Sequence, residues 1–177
     1  MMEQVMTIAP TNDGLSKLEG YAFRLEKWIC IASLAVMVVA ISASVMERYF
    51  NLSFPNPGEL AVFAMAPLTF IGAAMCSYTG THIAVDVIKL ARSAFIRRIG
   101  RLAVALSLII FAAVYLYTGA QFFMTMLESG ERGLDMGTPI YIPTFFLPLG
   151  MALMLLHAVA EIIRVFKNEA PAFEEQA

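Results

Sequence analysis

Charge is missing from long parts of this sequence: residues 28–46, 60–79, 102–124 and 140–159 contain no Asp, Glu, Lys or Arg. With 15% charged and 59% hydrophobic residues and a mean hydropathy of +0.73, the 177-residue chain is unlike a water-soluble domain. Runs of about 19 to 23 residues, rising about 1.5 Å each, match the roughly 30 Å core of a bilayer. Such spans hold no carboxylate, lysine or arginine for a proton or sodium relay, so they argue against ion transport by this chain alone and against a small self-sufficient exporter. No internal repeat is evident, which removes one signature of a transporter made of inverted halves.

Cysteine and histidine are equally sparse. Cys30 and Cys76 both fall near the expected inner ends of their spans, which argues against a structural disulfide. The histidines are His82 and His157. His82 and Asp86 lie one helical turn apart, but zinc needs three or four ligands and no third is near in sequence. His82 and His157 together allow a second reading, a haem or quinone anchor subunit of a membrane oxidoreductase. Composition otherwise suggests no cofactor, no enzymatic activity and no nucleic-acid partner.

The basic residues that do occur are unevenly placed. Lys17, Arg24, Lys27, Lys89, Arg92, Arg97, Arg98, Arg101, Arg164 and Lys167 fall on one side of the four predicted spans, and only Arg48 and Arg132 on the other. Positive charge is retained on the cytoplasmic side, so both termini are expected inside. The first span follows 27 residues and exceeds a signal-peptide core, so it is expected to remain as an anchor.

The predicted fold is therefore an all-α integral membrane protein with four transmembrane helices, about 28–46, 60–79, 102–124 and 140–163. Residues 1–13 are expected to be a disordered start, 14–167 one membrane domain, and 168–177 a cytoplasmic tail. Two in-plane helices are expected beside the spans. In the first, about 15–27, Ser16 and Glu19 suggest a capping box, and Leu15, Leu18, Ala22, Leu25 and Trp28 recur at helical spacing opposite most of the charges. In the second, about 82–98, Thr81 is the candidate cap and Lys89, Arg92, Arg97 and Arg98 the basic cluster. These four, with His82 and Asp86, are candidates for fixing topology or meeting lipid head groups.

Three further features are candidates for packing. Thr69, Gly72, Ala73, Cys76 and Gly80 form a small-residue stripe that admits a neighbouring helix. Arg48 and Glu59 are charges at the outer corners of the first two spans, placed to link them. Pro67, Pro143 and Pro148 are expected to bend helices.

The ordered set "ERYF", "GELA", "FIGAAMCSYTGTHIAVDVI" and "MGTPIYIPTFFLPLGMALMLLHAVAEIIR" resembles the small membrane subunit of tripartite ATP-independent periplasmic (TRAP) transporters, the DctQ-type family. The resemblance covers roughly residues 25–164. It implies a bacterial inner-membrane location and two protein partners. One is a periplasmic solute-binding protein that captures a carboxylate-bearing solute; the other is a large sodium-coupled elevator subunit. The small subunit would serve chiefly as a scaffold, with phospholipid around it. By position, His82, Asp86, Arg48 and Glu59 match the family's pattern, which assigns them no catalytic duty.

Overall fold

The computed structural model describes residues 14–51, 55–79 and 94–167. The expected features at residues 1–13, Gly80, Thr81, His82, Asp86, Lys89, Arg92 and the tail 168–177 lie outside these.

Four helices account for nearly all the described residues: α1 (Gly14–Phe50), α2 (Gly58–Thr79), α3 (Ala94–Ser129) and α4 (Tyr141–Lys167). All four are long and apolar enough to cross a membrane. Their cores coincide with the uncharged runs, but two extend further than hydropathy suggests. Residues 15–27, expected as a separate in-plane helix, are the continuous first part of the 37-residue α1, with no break before Trp28. Similarly, α3 starts at Ala94 and contains Arg97, Arg98 and Arg101, so the last residues of the second expected in-plane helix belong to it. At about 1.5 Å per residue both helices are some 55 Å long, well beyond a bilayer core.

Local chemistry sets the helix ends. Asn51 closes α1 in a left-handed conformation (φ 48°), which its short polar side chain tolerates. Asn56 then opens α2: its Oδ1 accepts the Gly58 N–H at 2.9 Å and also the Ser44 hydroxyl at 2.7 Å, tying the start of α2 to α1. Gly130, at φ 63°, follows the end of α3. Pro143 lies in the first turn of α4, where a missing N–H breaks no helical bond.

The helices are laid side by side in the order α1, α2, α4, α3, with a short additional contact of α1 on α4. The outer two are buried along one narrow seam each. On α1 the seam runs through Glu19, Glu26, Ser33 and Ala40, and on α3 through Ala105, Ala112 and Gly119, at seven-residue steps. A seven-residue repeat keeps one side of a helix against a neighbour at a shallow crossing angle. Elsewhere these helices expose apolar side chains, as lipid or a membrane partner requires. The core centres on α4, where Met151 and Met154 meet Ala74 of α2 and Ala112 of α3.

Two glycines of the inner contacts permit the closest approaches. A Cβ on Gly150 would lie 2.5 Å from the Phe70 carbonyl oxygen, so α4 crosses α2 backbone against backbone. A Cβ on Gly119 would lie 2.9 Å from Leu147 Cγ, at the crossing of α3 and α4. Gly72, from the small-residue stripe, has only Cys30 Sγ near, at 3.9 Å, which is ordinary contact. Hence Gly150→Ala should cost about 1–3 kcal/mol from overpacking, while Gly72→Ala should be close to neutral. Thermal unfolding of the two variants in detergent checks the difference.

Candidate functional site

Charged side chains gather into two sets of contacts among the described residues, one at each end of the helices. At the end where α1 begins and α4 finishes, a ladder joins the two helices. Glu19 and Glu26 stand seven residues apart on α1; His157 and Arg164 stand seven apart on α4, which runs the opposite way. Equal spacing on antiparallel helices brings both pairs into register. Glu19 pairs with the Arg164 guanidinium, Nη2 to Oε2 and Nη1 to Oε1 at 3.4 Å. His157 lies between the carboxylates, with Nδ1 3.4 Å from Glu19 Oε1 and Nε2 3.0 Å from Glu26 Oε1.

Both carboxylates are fully buried, at 0% exposure, and His157 and Arg164 nearly so. Removing a charge from water costs several kcal/mol, and only pairing with good hydrogen-bond geometry offsets it. The ring nitrogens of His157 can both donate only when the imidazole carries its second proton. In that form two carboxylates, one guanidinium and one imidazolium sum to zero formal charge. Satisfaction is incomplete, because Glu26 Oε2 is buried without a hydrogen-bond partner among the described residues.

The ladder continues sideways. Arg101 of α3 donates from Nε to Glu161 Oε1 at 2.8 Å, and Glu161 Oε2 lies 4.0 Å from Arg164 Nη1. One chain of charges thus links both outer helices to α4. The apolar neighbours are aromatic: Tyr78 at the end of α2 is held between Phe23 of α1 (ring centroids 4.8 Å apart) and His157 (5.1 Å).

At the other end Glu59, in the first turn of α2, reaches the connection between α3 and α4. Its Oε2 accepts the N–H groups of Asp135 (2.8 Å) and Met136 (3.0 Å), and its Oε1 accepts that of Thr138 (3.3 Å). The connection is a small hairpin closed by Gly133 N–H to Thr138 C=O at 2.8 Å and Ile140 N–H to Glu131 C=O at 3.1 Å. A Cβ on Gly133 would collide with the Glu59 carboxylate. Three backbone N–H groups thus engage the Glu59 carboxylate at the first turn of α2.

The described sequence candidates are spread along the helices rather than gathered in one place. Glu59 engages the hairpin, and no ion pair joins it to the exposed Arg48. Thr69 is exposed; Gly72, Ala73 and Cys76 are half-buried, and Cys30 and Cys76 are free thiols. Arg97 and Arg98 are exposed on the first turns of α3. Glu19 does not act as the reach-back partner of a capping box, since its carboxylate is taken by α4. His157, weighed above as an axial haem ligand, has both ring nitrogens facing carboxylates. The pairing of Glu19 and Glu26 with α4 was missed because exposed-looking charges were assigned to a solvated face. The matched seven-residue spacings were the available signal.

The sequence matches the family described as Tripartite ATP-independent periplasmic transporters, DctQ component, over residues 37–168. No curated protein matches it. The matched region includes His157, Glu161 and Arg164 but starts after Glu19 and Glu26.

Glu59→Ala should release the hairpin while leaving the helices in place. Hydrogen bonds to a charged group contribute about 1.5–3 kcal/mol, so amide exchange at Asp135 and Met136 should accelerate at least about tenfold. Exchange measured in nanodiscs, with the α4 amides as internal reference, checks this.

Proposed function

The chain belongs to the family of DctQ components of tripartite ATP-independent periplasmic transporters and is a small permease subunit of that multi-pass membrane system; within it, we propose that the chain is a scaffold rather than a solute-carrying element. The observation that carries this is where the buried charge goes. Glu19, Glu26, His157 and Arg164 are used against one another in helix pairing, at one end of the row. A scaffold needs such fixed contacts, whereas a transport site needs groups near the midplane that can release their partners.

In this account the exposed apolar sides of the row meet lipid and a large subunit, which carries sodium and a carboxylate-bearing solute delivered by a periplasmic binding protein. The chain lies in the bacterial inner membrane with both termini cytoplasmic, as the basic residues at the ladder end favour. Arg97 and Arg98, with Lys89, Arg92, His82 and Asp86, contribute to topology and contact with lipid head groups. Arg48 and the hairpin held by Glu59 face the side on which the binding protein arrives. The small residues Gly72, Ala73 and Cys76 serve packing, with Thr69 and Gly80 extending the stripe toward the partner subunit. The oxidoreductase-anchor alternative draws no support from His157, whose ring is engaged on both sides.

Reconstitution tests the scaffold role. Proteoliposomes containing this chain, the large subunit and the binding protein should accumulate solute on a sodium gradient, and omission of this chain should abolish uptake. Sodium-driven uptake by this chain alone would overturn the proposal.

A further inference from the structure

The first part of α1 sorts its charges by sign. Residues 14–31 contain three cations, Lys17, Arg24 and Lys27, and two carboxylates, Glu19 and Glu26, a formal sum of +1. In the folded chain both carboxylates are buried and taken up by α4, while all three cations are exposed. The surface offered outward therefore carries +3 with no acidic residue of this segment beside it.

Apolar side chains flank these cations. Leu18, Tyr21, Leu25 and Trp28 follow one another at helical spacing and are all exposed, Tyr21 at 70% and Trp28 at 69%. The Arg24 guanidinium lies 5.6 Å from the Tyr21 ring centroid. Depth fits as well. The uncharged run begins at Trp28, so Lys27 sits at the edge of the hydrocarbon core. Arg24 stands about 4.5 Å further out, within a head-group layer roughly 5–8 Å thick, and Lys17 about 15 Å out, on the aqueous side of that layer and about one Debye length from it. Aromatic rings at the interface with basic residues just beyond them are the arrangement that retains acidic head groups.

We propose that the Lys17–Arg24–Lys27 strip of α1, with Tyr21 and Trp28, is a binding surface for anionic phospholipid. Its positive surface is created by folding, because α4 withdraws the two carboxylates that would otherwise neutralise it. The site stands on membrane insertion alone and is independent of the scaffold role.

Trp28 is the only tryptophan in the chain, so it reports on the site directly. The full chain is placed in nanodiscs containing the same mole fraction of brominated phosphatidylglycerol or brominated phosphatidylcholine. Quenching of Trp28 should be about twofold or more stronger with the anionic lipid, and added salt should reduce the difference. K17Q/R24Q/K27Q should remove the preference and K17R/K27R should retain it, both with the unfolding temperature of the parent. Equal quenching by the two lipids in the parent chain, as expected if this surface serves an acidic protein partner, would overturn the proposal. A preference that survives in the triple Gln variant would also overturn it.

Discussion

Two carboxylates placed inside a membrane protein must be compensated or the fold that buries them is lost. Glu19 and Glu26 meet that requirement by reaching Arg164 and His157 on a helix far away in sequence. The ladder fixes the register of α1 against α4, because a shift of one turn would separate both carboxylates from Arg164 and His157. The first part of α1 continues without a break into its apolar part. Through Glu161 and Arg101 the same network reaches α3, so the two helices at the edges of the row are pinned at one end to the helix at its centre. At the opposite end the single carboxylate of Glu59 does comparable work on the hairpin between α3 and α4. Polar contacts thus lock both ends, while the stretch between them relies on small residues and close crossings.

This division suits a row of helices with little interior. Side-by-side packing leaves large apolar areas uncovered on α1 and α3, and in lipid no hydrophobic gain drives their association. Shape and hydrogen bonding must then provide the specificity. Gly150 and Gly119 supply the shape by letting helix backbones or side chains approach closely; the charged ends supply direction. A row of helices locked at both ends and exposed along its length suits the proposed scaffold role.

Much of the fold was legible in the sequence. Four uncharged runs gave the four helices, and the ordered motifs pointed to the family that the sequence matches. The candidate site was legible only in part, for identifiable reasons. Hydropathy ended the first and third helices at their charges, although a helix continues through charges whenever they have partners; Glu19, Glu26 and Arg101 do. The small residues around Gly72 looked like a close helix contact, but a stripe of small residues does not say which face meets a neighbour, and the tight crossing lies at Gly150. Glu59 was recognised as a corner charge, yet its partners are backbone N–H groups of a loop, which leave no side-chain signature. The glycine-rich sequence of that loop, with Gly133 beneath the carboxylate, was the one trace.

The account depends most on the pairing of Glu19 with Arg164, and a double-mutant cycle measures it. Unfolding free energies in nanodiscs would be compared for the parent chain, Glu19→Gln, Arg164→Gln and the double variant. Loss of Arg164 alone should destabilise by about 3–5 kcal/mol, since it strands a buried carboxylate, and the double variant should recover at least about 1 kcal/mol relative to the sum of the single changes. Additive effects, or single variants as stable as the parent, would contradict a structure held together at this ladder.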